Sequence, residues 1–290
     1  MGEFLSELIS NIMFLFADGI IWGFVIALIA LGLSLIFGIM GIINMAHGDM
    51  YMIGAVLALV FSGLFGNFWI ALIIVPVIVG IASMPLERWV LRPYEGKPLI
   101  TMVATIGVSF IIQQITLMVF GGEPHMVYEP IKFTVPLFGV PYSGYRVFAA
   151  GIGLVSIAIL WLALQRTKLG VYIRATMEQP EMADAIGINT SFIRAITFGI
   201  GVGLAAFGGA LAAPINKVFY LMGLDVMLFS FIVVIIGGLG NLAGTLIAAL
   251  VLSGFEGLLS AFLEPITARV VILLLMALVV VWKPKGLFSS

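Results

Sequence analysis

Nine stretches of mostly apolar residues, each about the length of a bilayer-crossing helix or a little shorter, follow one another along this chain. They lie at about 19–37, 50–65, 68–86, 99–120, 147–164, 194–213, 227–239, 243–260 and 268–282. A bilayer core about 30 Å thick calls for about 20 helical residues, whereas a barrel strand needs only about 10 alternating ones. These runs are therefore helices and not barrel strands. Only 9% of the residues are charged, against about 25% in an average soluble protein. The reading is an all-α, polytopic helical membrane protein, one membrane domain over 1–290 with about 8–9 transmembrane segments, at least one of them broken by glycine. Nine crossings result if every segment crosses, and eight if one is re-entrant or peripheral.

The net charge of −1 gives nucleic acid nothing to hold, so no nucleic-acid partner is expected. The chain has no Cys, which excludes disulfides, thiol nucleophiles and thiolate metal sites. Thirty-four Gly residues suit helices that approach closely in lipid. Residues 1–17 place Leu5, Leu8, Ile9, Ile12 and Phe16 at helical spacing with Glu3, Glu7 and Asn11 off that face. That pattern predicts an amphipathic helix lying on the membrane surface. It lacks the basic start of a signal peptide, so no cleavage is expected.

Basic residues set the orientation. Of 13 Lys and Arg, nine lie in 87–98, 165–194 and the tail WKPKGLFSS. Cytoplasmic loops collect Lys and Arg, so these three regions are expected inside together, the C-terminus with them. The long loop 121–146, with its Pro and Tyr residues, then faces outside. It is too long for a simple hairpin connection, and it offers an external docking surface or a packed cap.

The polar island 165–193 carries its own order. Pro180 suits the first turn of a helix, where its missing N–H is not needed. Glu178 and Glu181 put negative charge near that helix's positive end. Ala183 and Ala185 keep the segment slim, and Gly187 suits a C-terminal cap. Thr190 or Ser191 is expected to cap the next helix. A helix over 180–186 would be about 10 Å long, the size of a small knob that docks in a partner's groove; a plain solvated loop is the other reading.

Four polar features lie beside apolar stretches. Asn44, His47 and Asp49 follow Gly38 and Gly41, where a helix break would expose backbone groups to a polar solute. Asn241 sits in a second break, GGLGNLAG, so the two breaks read either as parts of one path or as tight turns. Thr101, Thr105, Ser109 and Gln113 recur every four residues and share one helix face, which lines a solute path or packs against neighbouring helices. Glu256 lies in an apolar run, where a charge at the bilayer centre costs ~2.5–3.5 kcal/mol. It must face protein or water, or be protonated. His47 has no second His near it and makes no metal site.

The stretch LGVYIRATMEQPEMADAIGI resembles the cytoplasmic coupling segment of branched-chain amino acid ABC-importer permeases of the LivH type. GLSLIFGIMGIINMAHGDMYMIGA (32–55) is similar to that family's most recognisable stretch, and VVIIGGLGNLAGTLIAALVLSGFE (233–256) and WKPKGLF fit its C-terminal part. The resemblance implies an inner-membrane permease subunit that imports branched-chain amino acids, or a related neutral solute such as urea or short amides. It implies a LivM-like second permease, two cytoplasmic ATPase subunits and an external substrate-binding protein as partners. The coupling residues carried over are Arg174, Pro180, Glu181, Ala183, Ala185 and Gly187. The chain itself contains no G-x-x-x-x-G-K-[ST] phosphate loop, since Gly96-Lys97 is followed by Pro98. It is read as a non-enzyme without cofactor, driven by separate ATPases. The competing class is a self-sufficient proton-coupled carrier with Glu256 or Asp49 as proton site.

Overall fold

The computed structural model describes residues 2–283 and 286–288, the side chains of 2–8 and 265 excepted. Helix α1 spans Gly2–Met40, α2 His47–Phe65, α3 Phe68–Leu86, α4 Pro98–Phe120 and α5 Gly144–Arg166. Two short helices follow, α6 Lys168–Glu178 and α7 Pro180–Ala185. The rest are α8 Thr190–Ala212, α9 Met222–Gly237, α10 Leu242–Leu259 and α11 Pro265–Trp282. Each of the nine expected apolar segments lies on one of these helices. Seven are long and apolar enough to cross a bilayer, and Met222–Gly237 and Ile266–Trp282 are shorter apolar helices.

Helix α8 is the axis of the packing. Its buried residues are dominated by Gly and Ala, which lets α1, α2 and α3 approach at backbone distance. A methyl group on Gly32 of α1 would overlap the carbonyl oxygen of Gly201. One on Gly201 would meet the Gly32 carbonyl oxygen at 2.7 Å, inside van der Waals contact. Lipid tails are as apolar as Leu, so close packing of small residues holds helices together where hydrophobic burial cannot.

The expected boundary after residue 17 is absent, because α1 continues through it as one helix. At ~1.5 Å per residue its 39 residues run to about 58 Å, longer than a bilayer core. Its first part is held by the long loop instead. Ser10 Oγ donates to the Phe138 carbonyl at 2.7 Å, and Asp18 accepts from Tyr142 Oη at 2.5 Å and Arg146 Nη1 at 2.8 Å. The loop does contain a hairpin. Strands β1 Thr134–Leu137 and β2 Val140–Ser143 pair antiparallel around Phe138 and Gly139, both with positive φ, as a tight hairpin turn of that hand requires.

The three basic regions gather at the opposite end. Arg92 pairs with Glu87 and donates to the Ser191 carbonyl at 2.8 Å, and Arg194 pairs with Glu95. Those contacts join 87–97 to the start of α8. In the tail, Leu287 N–H donates to the Ile236 carbonyl at 2.8 Å. Pro284 and Lys285 lie outside the described residues.

Candidate functional site

Gly41, at φ +61°, ends α1, and its N–H closes on the Phe37 carbonyl at 2.8 Å. The chain then turns back along α1. His47, the first residue of α2, reaches the Ile29 carbonyl through Nε2 at 3.0 Å and lies against Gly32. Gly32 and Ile29 precede the end of α1 by eight and eleven residues, so α2 begins about 12–16 Å down from that end. The break is thus a helix N-terminus set at depth in the membrane domain. Such a terminus carries a partial positive charge, while the N–H groups of His47 and Asp49 are taken by the Asn44 and Ala46 carbonyls. Asp49 stands in its first turn.

Asn44 and His47 are fully buried and Asp49 nearly so. Asn44 Oδ1 accepts from the Ala46 N–H at 3.1 Å, a local turn that shapes the break. Its Nδ2, and Nδ1 of His47, have no partner among the described residues. Such buried orphans are uncommon in native folds.

The polar stripe of α4 closes over this break. Gln113 Nε2 donates to Asp49 Oδ1 at 2.9 Å and to Ser109 Oγ at 3.0 Å. Thr105 Oγ1 accepts from the Met45 N–H at 3.0 Å and lies 3.3 Å from the Ile43 carbonyl. Thr101 is buried on the same face and bonds the Pro98 carbonyl of its own helix at 2.9 Å. Two groupings that lie more than fifty residues apart in sequence therefore form one cluster. The stripe ends in Thr116, buried but not anticipated.

Asn241 and Glu256 sit elsewhere. Asn241 caps α10, accepting from the Gly244 N–H at 3.0 Å, and donates to the Phe288 carbonyl at 2.7 Å. The second glycine-rich stretch is a turn between α9 and α10, at the end where α1 finishes, since Gly240 touches Gly38. Glu256 occupies the last turn of α10, and its neighbours Ser253 and Gly257 pack on Gly19 and Leu15 of α1. That places it toward the far end and not at mid-depth. Its Oε1 accepts from Arg269 Nε at 3.1 Å, so the carboxylate is paired. Sequence alone hid this partner because α10 and α11 are separate helices whose register is set by packing.

The polar island has a definite architecture. Thr167 caps α6, accepting from the Gly170 N–H at 3.1 Å, and Arg174 donates to the Leu164 carbonyl at the end of α5. Helix α6 is absent from the sequence reading, although Leu169, Ile173 and Met177 carry its four-residue spacing. Pro180 opens α7, as its fixed φ allows. Gly187, at φ +89°, ends it. Two inward details differ from the sequence reading. Ala183 is buried at 2% exposure, so it packs α7 onto the protein. Met182, Ala185 and Ile186 face outward with Glu181. The cap of α8 is Asn189, whose Oδ1 accepts from the Phe192 N–H at 3.0 Å. Thr190 instead gives its hydroxyl to Asp184 at 2.8 Å, and its N–H to the same carboxylate at 3.2 Å. Helix α7 is in this way buckled to α8, the central helix of the fold.

Comparison with known proteins follows the same lines. LivH of Escherichia coli K12, named as a high-affinity branched-chain amino acid transport system permease protein, is 32% identical over 94% of both chains. LivH of Salmonella typhimurium is 30% identical over the same shares, and BraD of Pseudomonas aeruginosa 27% identical, again over 94% of both. No solved structure matches the chain. Residues 15–280 match the model of the branched-chain amino acid transport system permease component; the chain, a polytopic helical membrane protein, belongs to that family.

Proposed function

We propose that this chain is a transmembrane permease subunit of an ABC importer that carries branched-chain amino acids into the cell. The observation that carries the reading is the family match over 15–280 together with the outward face of α7. The end bearing α6, α7, 87–97 and the tail holds most of the basic residues and is assigned to the cytoplasm. There α7 offers Met182, Ala185 and Ile186 to a groove on an ATPase subunit. Movement of α7 passes through the Asp184–Thr190 contact into α8, and from α8 into α1, α2 and α3. A LivM-like second permease, two ATPases and an external binding protein on the 121–143 side complete the assembly. The path for the solute runs along the broken start of α2, where Asn44 and His47 hold polar atoms ready for a new partner.

A mild-detergent pull-down of the tagged chain, followed by mass spectrometry, tests the assignment. Recovery of a phosphate-loop ATPase and a second permease is the expected result. Ile186→Glu should leave membrane insertion and thermal stability unchanged while uptake falls at least tenfold. Wild-type uptake by Ile186→Glu and Met182→Glu would remove α7 from the coupling role.

A further inference from the structure

A cavity of about 410 Å³ opens at the end opposite α7, between α1, α2, the segment 213–221 and α9, α10 and α11. It lies beside the long loop, since His125 and Val218 exchange backbone hydrogen bonds at 2.9 and 2.8 Å. Its size falls in the usual range for small-molecule sites. Two cations, Lys217 and Arg269, and two carboxylates, Asp225 and Glu256, line it. Of these, Glu256 and Arg269 stand on apolar helices, where ionisable residues are uncommon.

The groups are not all spent on each other. Arg269 lies 3.1 Å from Glu256 and 3.9 Å from Asp225. Lys217 is exposed and makes no ion pair among the described residues. Asp225 keeps 74% of its side chain accessible, so its oxygens remain open to a ligand cation. The Tyr51 ring is fully buried, and its hydroxyl faces Asn216 without closing a hydrogen bond. A buried hydroxyl left open at a cavity lining is a polar atom in want of a partner. Trp22, Ile26 and Phe229 supply an apolar wall.

We propose that this cavity binds a small zwitterion, its anionic group held by Lys217 with the Tyr51 hydroxyl and its ammonium by Asp225. Balanced charge carries the choice of class. A cavity with two cations and two carboxylates gives no net attraction to a simple anion or cation. It rewards a molecule that presents both signs at once. An α-amino acid and a phosphoethanolamine lipid headgroup share that chemistry. Preference for an amino acid with an apolar side chain rests on the importer reading; preference for a zwitterion does not.

The chain has no Cys, so Val226→Cys places a single reporter in the cavity lining. The purified chain is reconstituted in phosphatidylglycerol nanodiscs and labelled with a polar maleimide. L-Leucine is expected to slow labelling at least fivefold and saturably. 4-Methylpentanoate and 3-methylbutylamine, each carrying one of its charges, should leave the rate unchanged. Lys217→Gln and Asp225→Asn, both at accessible positions, should each raise the half-protecting concentration at least tenfold. Protection by added phosphatidylethanolamine but not by leucine would support the site and identify a headgroup as its occupant. Protection by no zwitterion, or equal protection by the single-charge analogues, would overturn the proposal. Phe219→Cys serves if Val226→Cys does not give a monodisperse protein. Because the chain is tested alone, leucine protection without ATPase recovery would sink the importer reading and leave this site standing.

Discussion

Helices α4 and α8 are both 23 residues long and strongly apolar, yet the fold uses them in opposite ways. In its most apolar window α8 is 67% buried and α4 only 22%. Helix α8 sinks glycines and alanines into three neighbours. The residues α4 buries are Thr101, Thr105, Ser109, Gln113 and Thr116, all polar. Its large apolar side chains, Val103, Phe110, Ile111, Ile115 and Met118 among them, point away from the chain. In lipid this inversion is what physics expects. Apolar side chains gain little by leaving hydrocarbon, whereas small residues gain packing and polar ones gain hydrogen bonds. A soluble protein would have buried the other face of α4.

That contrast breaks most readily at α8. Gly201→Leu drives a branched side chain into Ile36 and the Gly32 carbonyl, and overpacking of this kind costs about 1–3 kcal/mol or more where backbone must move. Its detergent melting temperature should fall further than that of any α4 variant. A melting curve equal to wild type would mean that α1 and α8 are not packed through their glycines. Next in size is Gln113→Leu, which takes the donor from Asp49 and costs about 1–3 kcal/mol for a buried acceptor left short of partners. Asp49→Asn in the same chain should recover part of the loss, and a strictly additive double mutant would show that α4 does not close over the α2 break. The smallest effect is expected at Ile115→Ala on the exposed face of α4. Thermal stability of the isolated chain should stay within about 0.5 kcal/mol. A larger loss appearing only in the assembled complex would show that a partner subunit covers this face.

A further variant sharpens the mechanical side of the same comparison. Asp184→Ala cuts the tie between α7 and Thr190 while α8 keeps its Asn189 cap. Uptake should fall while ATP hydrolysis by the assembled complex persists, measured in proteoliposomes. Equal loss of both activities would mean that the contact serves assembly and not transmission.

Much of the fold was legible because the bilayer imposes length. Nine apolar segments in the sequence correspond to nine apolar helices, and Pro180 and Gly187 bound α7 through their own backbone preferences. The misreadings share one cause. Ala183 and Ala185 read alike as small residues that keep the helix slim, yet Ala183 is buried and Ala185 exposed, because the roll of a six-residue helix is set by what it rests on. Thr190 has the chemistry of a cap, but Asp184 six residues earlier claims its hydroxyl and Asn189 takes its place. The amphipathic start of α1 predicts a separate surface helix, yet Asp18 and Ser10 meet a loop more than a hundred residues away.

By itself, then, the sequence determined the class of fold, the positions of the membrane helices, the glycine break before α2 and the Pro180 and Gly187 limits within which the polar island could form a short helix. These follow from local properties: apolar length, backbone freedom at glycine and the missing N–H of proline. Only the tertiary structure decided that the stripe of α4 closes on Asp49, that Asn241 caps α10 and holds the Phe288 carbonyl, and that Glu256 is paired with Arg269. Each of those joins residues on different helices, and the depth and rotation at which two helices meet is fixed by packing that no local pattern encodes.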